Sequence, residues 1–262
     1  MPRCGLLIDV DGVLTVSWTP IVGAPGALQR LRDAGVPVVF VTNTTSVGRA
    51  TIARSLREAG FAVEAEEILT APAMTASLLR REFPGARCLV VGAGDITADL
   101  GDVTLVAPRD DPEVVVLGGA GDGFDYATLN RVFQLAASGV PVVAMHRNLS
   151  WATTEGLQLD TGAFLVGIER AAGVQATTVG KPAPACFAAG LELLGVDARD
   201  AWMVGDDLDA DVRGAQGVGI TGVLVRTGKF RPAVLEDHGP VPDHIVDSFA
   251  DIPSLLDRAG VL

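Results

Sequence analysis

Short runs of apolar, mostly β-branched residues recur along this 262-residue chain, and stretches with helical spacing separate them. The runs at 6–10 and 36–42 flank a stretch in which Leu28 and Leu31 fall on one helical face. Such alternation is typical of a parallel sheet that is covered by helices. The sequence therefore predicts an α/β fold.

The middle third of the chain repeats this alternation with strands and helices of its own. Its apolar runs lie at 88–91, 114–117 and 140–145, and helical spacing fills 74–83, 126–137 and 163–172. That is enough structure for a small α/β domain. We therefore expect a core domain made of residues 1–70 and 180–262, with a smaller α/β domain inserted at 71–179.

The first apolar run ends in two aspartates, Asp9 and Asp11, which Gly12 follows. Ligands of α/β sheets bind at the carboxyl ends of the strands, and side chains two residues apart point the same way if the strand continues. Two carboxylates so close together need a cation, or one of them must keep its proton. An Asp-Gly turn after a strand is also common, so this motif alone is compatible with either interpretation.

Three later runs also end in polar residues. Each has an ordinary alternative interpretation: a helix cap for the first, a surface lysine before a helix for the second, and an acidic helix start for the third. They are Thr42 and Asn43, then Lys181 before Pro182, then Asp206, Asp207, Asp209 and Asp211. A parallel sheet would bring all of them to one edge together with Asp9. Such an edge would supply a nucleophile, an acid or base, phosphate donors, a cation and oxygen ligands suited to Mg²⁺.

The charge of the chain, −12 in formal terms, excludes some classes of partner. Nonspecific binding to nucleic acid or to an anionic membrane needs basic patches, so we expect neither partner. No apolar run reaches the ~18 residues of a membrane span, and the first residues do not resemble a signal peptide. Cys4, Cys88 and Cys186 lack metal-ligand spacing and suit a reducing compartment, so we expect a cytoplasmic protein.

The order Asp-x-Asp-Gly, Thr-Asn, Lys-Pro and Gly-Asp-Asp-x-x-x-Asp resembles the haloacid dehalogenase-like hydrolases. The insertion between the second and third of these elements resembles the cap of their subclass IIA. The resemblance covers essentially the whole chain, including residues 214–216 and 225–232. It implies a Rossmann-like core with a cap domain, and a Mg²⁺-dependent phosphatase that acts on a small phosphorylated substrate. It is also compatible with a homodimer.

The resemblance implies a role for each motif residue. Asp9 would attack phosphorus, while Asp11 would protonate the leaving oxygen and then activate water. Mg²⁺ would be held by Asp9, the backbone carbonyl of Asp11, and Asp206, and Asp211 would position its waters. The transferring phosphoryl oxygens would be bound by Thr42, Asn43 and Lys181.

A polar stretch after one strand of the inserted domain is the candidate for substrate discrimination. His146, Arg147, Asn148 and Trp151 combine a cation, an amide and an aromatic surface. An ordinary polar loop around a half-buried tryptophan is the alternative. Family members with a similar C-terminal segment carry an Arg-Tyr-Tyr-like stretch here, so this departure leaves the substrate open. We expect these four residues to contact the leaving group.

Other functions on related folds fit less well. A dehalogenase would share the nucleophile but would need neither Asp11 nor an acidic cluster. A phosphoacceptor signalling domain is about half as long and lacks an inserted domain, and no feature favours a mutase. A catalytically silent binding or regulatory protein is the alternative from another class, and it would usually have lost one of the motif acids. All of them are present here.

Overall fold

The computed structural model describes residues 4–153, 156–236 and 239–262. The strands are β1 (Gly5–Ile8), β2 (Thr15–Val16), β3 (Thr19–Pro20), β4 (Val38–Thr42), β5 (Ile68–Thr70), β6 (Arg87–Val91), β7 (Thr104–Leu105), β8 (Val114–Leu117), β9 (Val142–Ala144), β10 (Ser150–Thr153), β11 (Gly156–Leu159), β12 (Thr177–Thr178), β13 (Ala201–Gly205), β14 (Thr221–Val225) and β15 (His244–Val246). The α-helices are α1 (Ala24–Asp33), α2 (Arg49–Glu58), α3 (Ala71–Glu82), α4 (Thr97–Leu100), α5 (Tyr126–Ala137), α6 (Thr161–Ala172), α7 (Pro184–Leu194), α8 (Gly214–Gln216) and α9 (Ile252–Ala259).

The chain forms two compact units. The first contains Met1–Thr42, Arg49–Leu69 and Lys181–Leu262, and the second contains Asn43–Gly48 and Thr70–Gly180. Each unit has a parallel sheet with helices of its own, which confirms the predicted α/β class with a smaller inserted α/β domain. The limits predicted for the two domains stay predictions, and the structure adds Asn43–Gly48 to the second unit.

The six-stranded sheet of the first unit has the order β15-β14-β13-β1-β4-β5. Strand β1 lies between β13 and β4 and is parallel to both, so that Ile8 is in register with Val204 and with Phe40. All four residues of β1 are buried. Full burial of an aliphatic side chain such as Ile8 stabilises the fold by about 1.5–3 kcal/mol. The carboxyl ends of β1, β4 and β13 therefore meet at one edge of a well-packed sheet.

Helix α1 shows how the local sequence determines an element of this unit. Pro25 occupies the first turn, where its missing N–H is no loss, and Leu28 and Leu31 are buried on one face. The helix ends just before Gly35, which adopts a φ of 75° that suits glycine. The helix that Leu28 and Leu31 predict over residues 25–34 is thus found as Ala24–Asp33.

The second unit is built on a five-stranded sheet with the order β12-β9-β8-β6-β7. Its pairs are parallel, as expected for strands joined by helical crossovers. Side chains of β6, β8 and β9 form one apolar core with helices α5 and α6. That core includes Leu89, Val91, Val115, Leu117, Val132, Leu135, Val142, Leu165 and Ile168.

Ile52, Leu56 and Ala59 lie at helical spacing and predict a helix over residues 46–59. In the structure this helix begins only at Arg49, because the residues before it make contacts of another kind. Val47 forms an isolated parallel bridge with Asp95. The carbonyl of Ser46 lies so close to Gly94 that a Cβ at that glycine would overlap it. Asn43–Gly48 is therefore held by backbone contacts within the second unit, which no helical pattern in the sequence reveals.

The sequence after the fourth motif predicts a helix over residues 209–215, and the structure differs there. Leu208–Arg213 forms a wider π-helical turn, and α8 continues from it. Its first turn is capped by Asp207, whose carboxylate accepts the N–H groups of Asp209 and Ala210 at 3.1 and 3.0 Å. π-Helical turns are rare and often lie at functional sites.

Within the described residues, no helix combines the length and the apolar character that crossing a membrane requires.

Candidate active site

Three buried carboxylates meet at the edge of the six-stranded sheet. Asp9 directly follows β1, Asp206 directly follows β13, and Asp211 lies in the π-helical turn. One oxygen from each can be chosen so that all three lie within 4.8 Å of one another. The backbone N–H of Asp9 donates to the Val204 carbonyl at 2.9 Å, so parallel strand pairing fixes Asp9 beside β13. The predicted convergence of Asp9, Asp206 and Asp211 is thus found in the structure.

Lys181 is the cation of this cluster, and only 3% of its side chain is exposed. Its Nζ lies 2.6 Å from Asp9 Oδ1 and 2.7 Å from Asp211 Oδ1. Burial acts to lower the pKa of Lys181, but the charges and hydrogen bonds of Asp211 and Asp9 outweigh it and raise the pKa above its ordinary value. The lysine therefore stays charged and bridges two carboxylates.

The single buried lysine of the cluster, Lys181, does not balance three buried acids, and the pKa of Asp206 stays raised although the charge of Lys229 opposes the shift. Burial, followed by repulsion from Asp9 and Asp211, raises the pKa of Asp206 to about 8. Burial and repulsion from Asp9 likewise raise the pKa of Asp211 to about 6, against the opposing effect of Lys181. Among the described residues, no hydrogen-bond partner reaches the buried Oδ1 of Asp206. An oxygen-only donor set with excess negative charge fits a hard divalent cation.

Asp11 belongs to the same edge but is exposed. Partial desolvation of its carboxyl group, followed by repulsion from Asp9, raises its pKa, while a hydrogen bond from the Ser17 backbone opposes the shift. The turn after it is closed by the Gly12 N–H, which donates to the Thr15 carbonyl at 2.6 Å. A carboxyl group that keeps its proton more readily than usual is suited to general acid catalysis.

The segment at 227–229 was not predicted to take part, yet it contacts this cluster. The backbone N–H of Lys229 donates to Asp206 Oδ2 at 2.6 Å, and the Thr227 hydroxyl donates to the Gly12 carbonyl. One feature of the sequence weakly indicated this segment: the chain has only two lysines, Lys181 and Lys229.

Asp211 is oriented by the turn in which it lies. Its Oδ2 accepts the backbone N–H of Asp207 at 3.1 Å, and its Oδ1 pairs with Lys181. Gly205 leaves room for this arrangement, since a Cβ there would overlap the Asp211 side chain. Asp207 therefore contributes its backbone N–H to the cluster, while its carboxylate caps the turn.

The two candidate phosphate donors on the second motif are divided between the units. Thr42 ends β4 and is buried in the first unit, beside the strand that precedes Asp9. Asn43 belongs to the second unit. There a Cβ on Gly180 would approach Asn43 Oδ1 to 2.5 Å and the Met145 carbonyl to 2.6 Å, so only glycine leaves the amide where it is.

His146 is buried, with 2% of its surface exposed. Its Nδ1 accepts the Asn148 backbone N–H at 3.3 Å, and its Nε2 lies 3.8 Å from Asp160 Oδ2. Asp160 also accepts the N–H groups of Thr161 and Ala120 at 2.8 and 3.1 Å. His146 therefore links the loop after β9 to the start of α6.

Arg147 makes a two-pronged ion pair with Glu169 of α6, with one N–O distance of 2.9 Å. Glu169 also accepts the Ala176 N–H at 2.8 Å, and these hydrogen bonds, first of all that from Arg147, lower its pKa. Asn148 is half-buried, and the side chain of Trp151 lies outside the described part of the structure. The proposed contacts of these cap residues with substrate remain a prediction, and two of them also stabilise the second unit.

Arg147→Ala should lower the thermal unfolding midpoint of the protein by a few degrees. It leaves the Glu169 carboxylate, whose side chain is only 13% exposed, without its guanidinium partner. Losing one partner of such a hydrogen-bonded pair costs about 1–3 kcal/mol. Calorimetry would measure the shift, and Arg147→Lys should recover only part of it, because lysine cannot make both hydrogen bonds.

The same variant tests specificity. We expect Arg147→Ala, alone or with Trp151→Ala, to change the ranking of substrates while slow hydrolysis of p-nitrophenyl phosphate continues. A ranking that stays fixed while all rates fall together would show that the loop only supports the fold.

The fold and this cluster together define a class of hydrolase, and comparison with known proteins agrees. A family model described as haloacid dehalogenase-like hydrolase matches residues 6–105, and one described as HAD-hydrolase-like matches residues 178–252. The chain belongs to the haloacid dehalogenase-like hydrolase family.

Individual relatives cover nearly the whole chain. It is 37% identical to human haloacid dehalogenase-like hydrolase domain-containing protein 2 over 93% of this chain and 92% of that one. It is 35% identical to human phospholysine phosphohistidine inorganic pyrophosphate phosphatase over 96% of this chain and 93% of that one. Residues 225–232 and 178–182 already resemble this second relative in the sequence alone, and that resemblance is confirmed.

Solved structures give the same result. The p-nitrophenyl phosphatase from Archaeoglobus fulgidus superposes with a TM-score of 0.90 at 28% identity, covering 98% of this chain and all of that one. A glycerol phosphate phosphatase from Mycobacterium tuberculosis, in complex with calcium, gives 0.85 at 28% identity and covers 96% of this chain and 74% of that one. The chain is thus a phosphatase of this family, and its likeness to subclass IIA is confirmed.

Proposed function

We propose that this protein is a Mg²⁺-dependent phosphatase that hydrolyses a small phosphorylated metabolite through an aspartyl-phosphate on Asp9. The observation that carries the proposal is the position of Asp9: a buried carboxylate at the end of the central strand β1, 2.6 Å from the Lys181 ammonium and beside Asp206 and Asp211.

In the first step, a carboxylate oxygen of Asp9 forms a bond to phosphorus, and the bond from phosphorus to the leaving oxygen or nitrogen breaks. Asp11 donates its proton to that leaving atom, so an alcohol, an amine or a phosphate departs in protonated form. Thr42, Asn43 and Lys181 bind the transferring phosphoryl oxygens and stabilise the negative charge on them. Lys181 is held ready for this role by its ion pairs.

In the second step, the Asp11 carboxylate takes a proton from water as the water oxygen attacks phosphorus. The bond from phosphorus to Asp9 breaks, inorganic phosphate leaves, and the Asp9 carboxylate is restored. Asp11 ends the cycle protonated, as it began. The raised pKa of Asp11 supports this exchange between acid and base, because it brings the group closer to neutral pH.

The metal would be held by Asp9, Asp206 and the backbone carbonyl of Asp11, with Asp211 orienting its waters. When bound, Mg²⁺ would neutralise charge on the carboxylates and on the phosphoryl group. Support comes from the three converging carboxylates and from the excess of buried negative charge. The calcium complex of the related glycerol phosphate phosphatase agrees with a divalent site in this family.

The substrate class is a phosphomonoester, a phosphoamide or pyrophosphate, as the names of the relatives suggest. The test is phosphate release with Mg²⁺ across phosphosugars, phosphoamino compounds, pyridoxal phosphate, pyrophosphate and p-nitrophenyl phosphate. We expect release from several compounds and a clear preference for one. Release from none of them, from folded protein with Mg²⁺ present, would contradict the proposal.

Two further expectations from the sequence, a homodimer and a cytoplasmic location, stay predictions. The three buried thiols, Cys4, Cys88 and Cys186, are consistent with a reducing compartment.

Asp11→Asn should slow the hydrolysis of alkyl phosphates far more than that of aryl phosphates. General acid catalysis contributes about 10²–10⁴-fold, and a good leaving group needs less of it. Single-turnover rates on a pair such as glycerol phosphate and p-nitrophenyl phosphate would measure the difference. Equal losses on both substrates would show that Asp11 has another role.

A further inference from the structure

We propose that residues 227–229, here called the Asp206 clasp, determine which carboxylate oxygen of Asp206 is offered to a divalent metal ion. The inference rests on the proposed function only in taking Asp206 as a metal ligand. It adds positioning residues to a site whose four motifs do not include this segment.

The clasp contacts only one of the two carboxylate oxygens of Asp206. The backbone N–H of Lys229 donates to Oδ2 at 2.6 Å. The other oxygen, Oδ1, is buried and has no hydrogen-bond partner among the described residues. A buried carboxylate oxygen without a donor is costly unless a cation supplies the missing interaction. The carboxylate is therefore presented to the metal through Oδ1 alone.

Two glycines make this contact sterically possible. Gly228 has a φ of 59° and Gly12 a φ of 88°. A Cβ on either residue would overlap Asp206 Oδ2, and a Cβ on Gly228 would also come within 2.5 Å of the Gly12 Cα. The backbone of the clasp thus lies directly against the loop after Asp11, as only glycine allows.

The clasp also holds the nucleophile loop in place. The hydroxyl of Thr227 donates to the Gly12 carbonyl, one residue after Asp11. One segment therefore contacts the loop of the first motif through Thr227 and the metal-binding acid of the fourth through Lys229.

The hydrogen bond from Lys229 to Asp206 comes from the main chain and not from the side chain. Its Nζ lies 3.5 Å from Asp207 Oδ2, and 61% of the side chain is exposed. Exposed ion pairs of this kind contribute only about 0–1 kcal/mol. Two variants distinguish the backbone N–H from the side-chain ammonium. Lys229→Ala removes the ammonium and keeps the N–H, whereas Lys229→Pro removes both.

Binding of Mn²⁺ to the metal-free protein, followed by calorimetry or electron paramagnetic resonance, tests the inference without a turnover assay. Removing an outer partner of a metal ligand typically weakens metal binding about 10–100-fold, so we expect a loss of that size for Lys229→Pro. Gly228→Ala should lose as much, since the new Cβ displaces Oδ2. Lys229→Ala should bind Mn²⁺ nearly as well as the wild type.

The matched control is Gly26→Ala, since a Cβ at Gly26, which lies in α1, would meet nothing within 4 Å. Circular dichroism and the thermal midpoint show which variants fold. If Lys229→Pro does not fold, Gly228→Ala tests the inference in its place. In an Asp206→Ala background, Gly228→Ala should cause no further loss of Mn²⁺ affinity.

Folded Gly228→Ala that binds Mn²⁺ as tightly as the wild type would overturn the clasp and leave the proposed function standing. Equal losses for Lys229→Ala and Lys229→Pro would also overturn it, by assigning the effect to the ammonium group. Wild-type protein that binds no divalent ion would overturn both the clasp and the proposed metal site.

Discussion

Replacing Asp9 with asparagine should lower kcat by a factor of at least ~10³, the scale of losing an essential catalytic group. Asparagine keeps the shape of the side chain but cannot form the acyl-phosphate bond, and its oxygen is a poor nucleophile. The fold should persist, because the substitution removes one negative charge from a cluster of carboxylates that repel one another. Steady-state hydrolysis of p-nitrophenyl phosphate with saturating Mg²⁺ would measure the loss.

A trapping experiment makes this prediction specific to the nucleophile. Wild-type protein quenched in acid during turnover should yield a peptide phosphorylated at Asp9, and Asp9→Asn should yield none. Asp33→Asn is a suitable control, since Asp33 is an exposed acid on α1 whose carboxylate accepts a hydrogen bond from Gln29 one turn earlier. An Asp9→Asn variant with near-wild-type turnover would refute the mechanism.

Removing divalent ions should abolish activity, and adding Mg²⁺ should restore it. Without a divalent cation, Lys181 is the single buried lysine beside three buried carboxylates, and burial with mutual repulsion raises the pKa of Asp206 to about 8. Ca²⁺ should inhibit, because its larger and looser coordination does not enforce the octahedral geometry that Mg²⁺ demands. Activity after treatment with EDTA and titration back with each ion would measure these effects.

The pH dependence of Mg²⁺ activation follows from the same cluster. A metal ion binds the ionised form of Asp206, and a carboxyl group with a pKa near 8 is protonated below that pH when no metal is present. More Mg²⁺ should therefore be needed for half-maximal activity at pH 6 than at pH 8.

The outcome that would contradict the metal-removal prediction is full activity after rigorous removal of divalent ions. That result would exclude the site assigned to Asp206 and Asp211.

Much of the site was visible in the sequence because its residues directly follow apolar strands. Asp9 follows β1 and Asp206 follows β13, and parallel pairing brings the ends of neighbouring strands together. Lys181 stood out as one of two lysines. Local patterns of this kind depend only on the order of residues, so the amino-acid sequence alone is enough to recognise them.

Other features depend on contacts between segments that lie far apart in the chain. The sequence placed Asn43–Gly48 partly in a helix, whereas the structure holds it through the bridge of Val47 with Asp95 and through the carbonyl of Ser46 at Gly94. Tertiary contacts override helix propensity there, since propensity is worth only a few tenths of a kcal/mol per residue.

The polar stretch after β9 shows a second limit. Its composition predicts contacts with substrate, and these contacts stay a prediction. The structure adds that His146 is buried beside Asp160 and that Arg147 is paired with Glu169, 22 residues away. Whether a charged side chain is free for a ligand depends on the partners that folding brings to it. The sequence shows that a side chain is charged, but it does not show which partners the side chain has in the folded protein.

The sequence by itself determined the α/β class, the inserted domain, and the acids and lysine of the candidate site, because strand and helix periods and strand-end motifs are local properties. Only the tertiary structure decided that Lys229 supports Asp206, since the group that donates the hydrogen bond is a backbone N–H. Every residue except proline carries that group, so no residue type marks it, and its function depends on which acceptor folding places 2.6 Å away.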